Sequence, residues 1–320
     1  MKTTVIIPNF NGKKYLDNCL SSLEGAGRGE FAVLVVDNGS TDGSVQEAGE
    51  RYPWLRVIGF TENKGFCAAV NAGIRAAGTP YVFLLNNDTV VEPGCIRRME
   101  QRMEEERDLF SLSARMVDMA NPSRMDGAGD FYSALGWARA AGKGKPVERC
   151  KRRRDVFSAC AGAAMYRKEY LEHTGLFDEL HFAYLEDVDL GYRARVMGYR
   201  NAYEPEAVVR HAGSGSSGSR YNPFKIIHSS RNSVYLIYKN MPSGQLLLNL
   251  PLLLFGFLVK ALFFAGKGYG KIYLKGLRDG LALCRSPEGR AQKVRFKMAR
   301  LGNYSKIQIE LWMNLLRLAD

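Results

Sequence analysis

Four short, mainly apolar runs, each closed by polar residues, constrain this 320-residue chain more than any other feature. They are "TTVIIP", "FAVLVVD", "LRVIGF" and "YVFLL". Their polar ends are Pro8-Asn9, Asp37-Asn38-Gly39-Ser40, Thr61-Glu62-Asn63 and Asn86-Asn87-Asp88. Between them lie stretches of helical spacing: Leu16, Leu20 and Leu23, then "TDGSVQEAGERY", then Phe66, Val70 and Ile74 with Gly78 as the stop. Strands apolar on both faces, alternating with helices, predict a parallel sheet covered on both sides. Such sheets bind ligands at the carboxyl ends of their strands. The four polar tips are therefore expected to line one crevice.

The remaining chain is more varied. "PGCIRRMEQRMEEER" predicts a helix with Pro93 at its start. Residues 115–160 are rich in Gly, charge and turn signals, and the basic run "ERCKRRRD" reads as a solvated loop. "FSACAGAAMYRKEYLEHTG" reads as an apolar stretch and a helix, and "HFAYLEDVDLGYRARVMGYR" sets Glu186 and Asp187 at a helix start. Leu190, Ala194 and Met197 give that helix its apolar stripe, and Gly198 fits its end. A strand-like "NAYEPEAVVR" leads to His211, and "SGSSGS" at 214–219 reads as a flexible loop.

The most apolar segment is "QLLLNLPLLLFGFLVKALFFAG", 245–266. Its longest unbroken run is ten residues, where a spanning helix needs about 20. Asn249, Pro251 and Lys260 also argue against a simple span. With the basic, apolar "KGYGKIYLKGLRDGLALCR" behind it, the segment is expected to lie in a membrane interface, ahead of a buried or spanning helix. "KIQIELWMNLLRLAD" predicts a last amphipathic helix. No signal peptide is read before the first strand.

Charge separates the same regions. Residues 211–320 hold 17 Lys plus Arg against 4 Asp plus Glu, a net +13, whereas residues 1–210 are close to neutral. A neutral body with a basic tail points to an anionic partner, membrane or nucleic acid, against the plainer reading of a solvated surface. The six cysteines show no metal spacing and read as small core residues in a reducing compartment.

Several acids could carry chemistry. Asp88 at a strand end suits a divalent cation in a phosphate site, or else a turn cap. Asp37 could accept from a base or a ribose hydroxyl, or close an Asx-turn. Glu186 and Asp187 could be a general base pair, or simply favour a helix N-terminus. Neither G-x-G-x-x-G nor G-x-x-x-x-G-K is present.

The ordered set "VIIPNFNGKKYLDNCLSSL", "VVDNGSTDGS", "ENKGFCAAVNAGIRAA" and "FLLNNDTVV" resembles inverting glycosyltransferases of family 2. "GLFDELHFAYLEDVDLGYRARVMGYR", "RHAGSGS" and "RNSVYLIYKNMP" resemble its rhamnosyltransferase-like branch. The resemblance covers residues 3–240 and implies a GT-A fold, a nucleotide-diphosphate sugar donor (dTDP- or UDP-linked) and Mg²⁺ or Mn²⁺. It assigns Asp88 to metal and diphosphate, with Asn86 where the family motif has its first acid. It gives Asn86 and Asn87 to the donor, Asp37 to the nucleobase with Pro8 and Asn9 beside it, and Asn63, Gly65 and Asn71 to the donor segment near the ribose. Asp187 becomes the catalytic base, Glu186 its neighbour or an acceptor contact, and His211 a metal or diphosphate ligand. Arg231 and Asn232 match a branch signature without an assigned role.

The expectation is thus an α/β, GT-A-type fold with a mostly parallel sheet. Residues 1–110 would form its nucleotide-binding half and 111–240 its acceptor and catalytic half, with a helical, basic, membrane-associating extension at 241–320. The chain is expected to transfer a sugar, rhamnose by the branch resemblance, to a saccharide or lipid-linked acceptor in cell-surface polysaccharide synthesis. It would be peripheral at the cytoplasmic face of the cell membrane. The rivals are a non-catalytic sugar-nucleotide binder, which Asn86 keeps open, and a basic nucleic-acid-binding protein; nucleic acid is not expected as a partner.

Overall fold

The structure, a computed structural model, describes residues 1–213 and 221–317; the expected loop at 214–219 lies outside the described residues. The chain opens as read: β1 (Thr3–Asn9), α1 (Leu16–Gly25), β2 (Ala32–Asp37), α2 (Ser44–Arg51), β3 (Arg56–Gly59), α3 (Phe66–Ala76) and β4 (Tyr81–Leu85). The four strands are parallel in the order β3-β2-β1-β4. Successive crossovers go to opposite sides of β1, so the switch point falls between the ends of β1 and β4.

A second half extends the sheet. It comprises β5 (Thr89–Val91), α4 (Cys95–Glu105), β6 (Leu109–Asp118), β7 (Met125–Gly127), β8 (Asp130–Tyr132), β9 (Ala138–Ala140), β10 (Arg154–Asp155), β11 (Ala163–Arg167), α5 (Lys168–Thr174), α6 (Glu186–Val196) and β12 (Arg200–His211). β11 inserts antiparallel between β4 and β6, and β12 runs parallel to β6, giving a mixed, mostly parallel sheet. Its two faces carry separate cores. Leu16, Leu20 and Leu23 of α1 pack one face with Met99 and Met103 of α4; Val70 and Ile74 of α3 pack the other with Leu171 and Leu190. β8 and β9 form a separate hairpin beside the sheet.

The C-terminal helices are α7 (Pro223–Asn240), α8 (Ser243–Gly266), α9 (Gly270–Arg285), α10 (Pro287–Ala291) and α11 (Leu301–Leu316). α7 and α9 approach closely: a Cβ at Gly276 would overlap Ser230 Oγ, and one at Gly280 would press on the Arg231 carbonyl. The border expected at residue 240 coincides with the end of α7, and α9, beyond it, packs back on α7. α8 is one continuous helix of 24 residues despite Pro251, long and apolar enough to cross a membrane by length and composition. Asn249 does not interrupt it because its amide is paired with Gln308 at 2.8 Å, on the buried side. All six cysteines are free; five are buried, and burial pushes thiols such as Cys19 up to about 12.

Candidate active site

The strand tips do meet. Asn87 Nδ2 donates to Asn9 Oδ1 at 2.7 Å, joining β4 to β1 across the switch point. Asn9 Nδ2 reaches Ser44 Oγ at 3.0 Å and Ser40 Oγ at 3.2 Å. The clip needs Gly12, where a Cβ would overlap both Asn9 Oδ1 and Asn87 Nδ2. Asn38 extends the row, donating to Asn63 Oδ1 at 2.9 Å and accepting from Lys64 N at 2.8 Å. A cleft of about 1010 Å³ opens above these tips. Pro8, Asn9, Asn63, Gly65, Asn86, Asn87, Asp88, Glu186, Asp187 and His211 all border it.

Two residues assigned by resemblance do not. Asp37 sits one residue behind the lining and accepts from Ser40 Oγ at 2.5 Å, next to Asn9. Asn71 is buried in α3; its amide donates to Phe177 O and Glu179 Oε1 and accepts from Phe177 N. Its polar atoms tie α3 to the 177–179 segment, leaving none of those contacts for a donor.

In the cleft wall, His211 stands between two carboxylates. Its Nε2 is 3.2 Å from Asp88 Oδ1 and its Nδ1 2.7 Å from Asp126 Oδ2. Burial opposes the imidazolium, but the two acids outweigh it and push His211 up to about 9. Asp126 also meets Lys143 at 2.8 Å and is held down to about 2, its own burial overcome by His211 and Lys143. Asp88 after β4, Asp126 of β7 and His211 of β12 come together here. A divalent cation held by Asp88 and His211, with Asp126 behind them, would have to displace the proton from His211.

Three more carboxyls border the same cleft, those of Asp130, Glu186 and Asp187. Asp187 lies in the first turn of α6, accepting from Val188 N at 2.9 Å and Ala161 N at 3.4 Å. Burial raises it to about 6, while the backbone N–H groups hold it from going higher. Glu186 and Asp130 are pushed well above the carboxylate range, first by burial and then by the Asp187 charge. Asp187 is thus the carboxyl of the three that ionises first, and its neighbours stay protonated. Asp130, Cys160 and Asp187 place ligand atoms within 4.8 Å of one another. A raised thiol and a protonated carboxyl make a poor site for a hard cation. In the similar group Asp178, His181 and Asp189, Lys239 Nζ already stands between the acids at 2.7 and 2.9 Å.

The segment leading into Asp187 is strained and clamped. Phe182, Tyr184 and Leu185 have φ of 62°, 72° and 67°, a strain of about 1–3 kcal/mol each that persists only where the surroundings fix the backbone. α7 supplies the fixing. Arg231 Nη2 donates to Leu180 O and His181 O, and Asn232 Nδ2 to His181 O, Ala183 O and Tyr184 O. One helix turn or two further on, Tyr235 and Lys239 hold Asp178, and Lys239 and Asn240 hold Asp189 of α6. Phe182, Tyr184 and Phe224 form an aromatic wall to the cleft.

Residues 4–175 match the family described as Glycosyl transferase family 2. The chain is 27% identical over 267 residues to the N-acetylglucosaminyl-diphospho-decaprenol L-rhamnosyltransferase of Mycobacterium tuberculosis, covering 75% of this chain and 85% of that one. In fold it is similar to S. aureus TarS 1-349 in complex with UDP-GlcNAc, with a TM-score of 0.60 at 18% identity over 97% of this chain and 89% of that one. It is also similar to the mannosyltransferase PcManGT of Pyrobaculum calidifontis in complex with GDP-Man and Mn²⁺, with a TM-score of 0.55 at 18% identity over 97% and 84% of the two chains.

Proposed function

The chain belongs to glycosyl transferase family 2, and from there we propose that it moves a sugar, with inversion, from a nucleotide diphosphate onto a lipid-linked saccharide. That it is a glycosyltransferase using a nucleotide-sugar donor follows from the family. The finer reading is ours. One observation carries it: Asp88, His211 and Asp187 border the same cleft, together with the clipped Asn9 and Asn87.

The residues divide the work accordingly. Asn9, Asn38, Asn63 and Asn87 form a neutral amide row where a nucleotide diphosphate lies at the strand ends. Asp37, which accepts from Ser40 one residue behind the lining, is the acid that the resemblance assigns to the base. Asp187 takes the proton of an acceptor hydroxyl as its oxygen bonds to the anomeric carbon and the bond to the diphosphate breaks. The proton ends on Asp187 and the bonding electrons leave with the diphosphate. Protonated Glu186 and Asp130 add no charge to repel the donor. A divalent cation held by Asp88 and His211 would offset the charge growing on the leaving group. With a single base at the reacting centre, the displacement inverts the sugar.

Rhamnose is the donor sugar we favour, on the strength of the mycobacterial relative and the branch resemblance. The proposed setting is the cytoplasmic face of a membrane. Among the described residues, seventeen of the twenty-one exposed large apolar side chains lie after residue 240, among the excess of Lys and Arg. α8 keeps Gln245, Asn249 and Gly256 against the body while Leu247, Leu254, Leu258 and Leu262 face outward. That one-sided arrangement supports a helix lying in the interface more than a span.

A panel of nucleotide sugars, with and without Mg²⁺ or Mn²⁺, scored for released nucleoside diphosphate, tests the reading. Turnover of one donor, dependent on cation and acceptor, is expected. Binding without turnover for every donor would leave a sugar-nucleotide-binding protein instead.

A further inference from the structure

A second recess, of about 550 Å³, meets the cleft at β9; both are bordered by Arg139 and Ala140. Successive residues of β8 point opposite ways, so Asp130 borders the cleft and Phe131 the recess. The lining is cationic: Arg139, Lys145, Arg149, Arg154 and Arg317 against one acid, Asp155. Asp155 is paired with Arg200 at 2.8 Å, outside the group. Lys145, Arg149, Arg154 and Arg317 form no ion pair among the described residues.

Arg154 anchors this cluster. Its guanidinium lies 5.6 Å from the Phe131 ring and 5.3 Å from the Tyr203 ring. Its Nε and Nη2 are shielded from solvent with no hydrogen-bond partner among the described residues. Arg317 approaches the same Phe131 ring at 4.9 Å. The basic run at 148–155 is therefore not simply solvated: Arg153 pairs with buried Glu204, and Arg149 and Arg154 turn to the recess. Cations this close repel unless an anion lies among them. Guanidinium forks match phosphate oxygens in particular.

The position matters as much as the charge. The turn of the β8–β9 hairpin rests on α8, where Trp137 Nε1 donates to Gly256 O at 3.2 Å and a Cβ at Gly256 would overlap Leu135 O. The β8–β9 hairpin thus borders the cleft and the recess with its strands and touches, with its turn, the helix that has the exposed apolar face. We propose that it binds the diphosphate of the lipid-linked acceptor. The saccharide then crosses β9 into the cleft, and the hydrocarbon follows α8. This rests on the reading that the acceptor is lipid-linked. An anionic phospholipid headgroup offers the same phosphate chemistry, so the test separates the two sources.

The test uses Lys145→Ala with Arg149→Ala, both at the rim, checked for folding by thermal melting. Calorimetry with inorganic pyrophosphate compares this double variant, Asp88→Asn and the unchanged protein, all without divalent cations. We expect pyrophosphate to bind about tenfold more weakly to the double variant and unchanged to Asp88→Asn. The opposite pattern would mean that the anion occupies only the cleft, and would overturn the proposal. Farnesyl diphosphate should lose affinity in the double variant, while flotation with phosphatidylglycerol vesicles stays the same. A loss confined to the vesicles would make the recess a headgroup site and also overturn it. If no donor turns over yet pyrophosphate follows the recess charges, the transferase reading fails and the recess stands. If transfer proceeds and pyrophosphate ignores those charges, only the recess fails.

Discussion

Asn232 of α7 donates its side-chain amide to the carbonyl oxygen of Tyr184 at 2.7 Å, just ahead of Glu186 and Asp187. The same amide group reaches His181 O and Ala183 O, so two N–H bonds serve three carbonyls. Such a clamp fixes a strained turn whose product is the direction of the Asp187 carboxylate. Asn232→Ala should lower kcat by about a hundredfold, as small misplacements of a reacting group do, while the KM for the donor changes little. The melting temperature should also fall, by what about 1–3 kcal/mol of lost hydrogen bonding gives. A fall in donor affinity equal to the fall in kcat would show that the clamp supports the whole fold and does not aim the base.

Asp187 and Glu186 should separate on substitution. Asp187→Asn removes the base and should cost about 10²–10⁴ in kcat with donor binding retained. Glu186 is already neutral in the folded protein, so Glu186→Gln keeps its charge state and should cost less than about tenfold. Steady-state rates together with donor titration distinguish these outcomes. Similar losses for the two would remove the assignment of roles.

The pH profile carries the same assignment. Asp187 is raised to about 6, so it is protonated below that pH and ionised above it. The base is therefore lost as pH falls, and log kcat/KM should drop on the acid side with an apparent pKa near 6. The acid limb should disappear from the residual rate of Asp187→Asn. An acid limb near 4, the ordinary carboxylate value, would mean that burial does not act on the base as described.

Much of this was legible in the sequence, for definable reasons. A parallel half-sheet needs apolar residues on both strand faces, so β1, β2 and β4 stand out as runs, and their polar tips mark the ligand edge. Asp126, Asp130 and Lys143 were missed. They sit on short strands and turns with no period to read, and only the paired acids of "MDGAGD" hinted at a site. Arg231 and Asn232 had no readable role because their partners are main-chain oxygens about fifty residues earlier, which no side-chain pattern encodes. In the sequence, Asn249, Pro251 and Lys260 argue against a simple span, and Pro251 also disfavours a helix interior locally. Packing against α11 and the β8–β9 turn overrides that preference.

The cation site should depend on His211 more steeply than its exposure implies. His211 joins Asp88 to Asp126, so His211→Ala removes one ligand and loosens another. Chelation should abolish turnover in the unchanged protein. His211→Ala should need about 10–100-fold more Mn²⁺ for half-maximal activity, the range found when metal-site partners are removed. Asp126→Asn should show a smaller shift in the same direction. Turnover that resists chelation would take the cation out of the mechanism.

Membrane association should need both the apolar face of α8 and the tail's positive charge. Leu254 and Leu258 project from α8 away from the body, so replacing both with Asn alters the outer face without opening a cavity. Burying each such leucine contributes about 1.5–3 kcal/mol, and each basic residue near an anionic surface about 1 kcal/mol. The unchanged protein should float with phosphatidylglycerol vesicles at low salt and partly detach as ionic strength rises, since only the charge component is screened. The double variant should detach at a lower salt concentration, with the same turnover of a soluble acceptor analogue. Flotation insensitive to salt and to both substitutions would point to insertion of α8 across the bilayer, and recovery wholly in the soluble fraction at low salt would remove the membrane from the proposal.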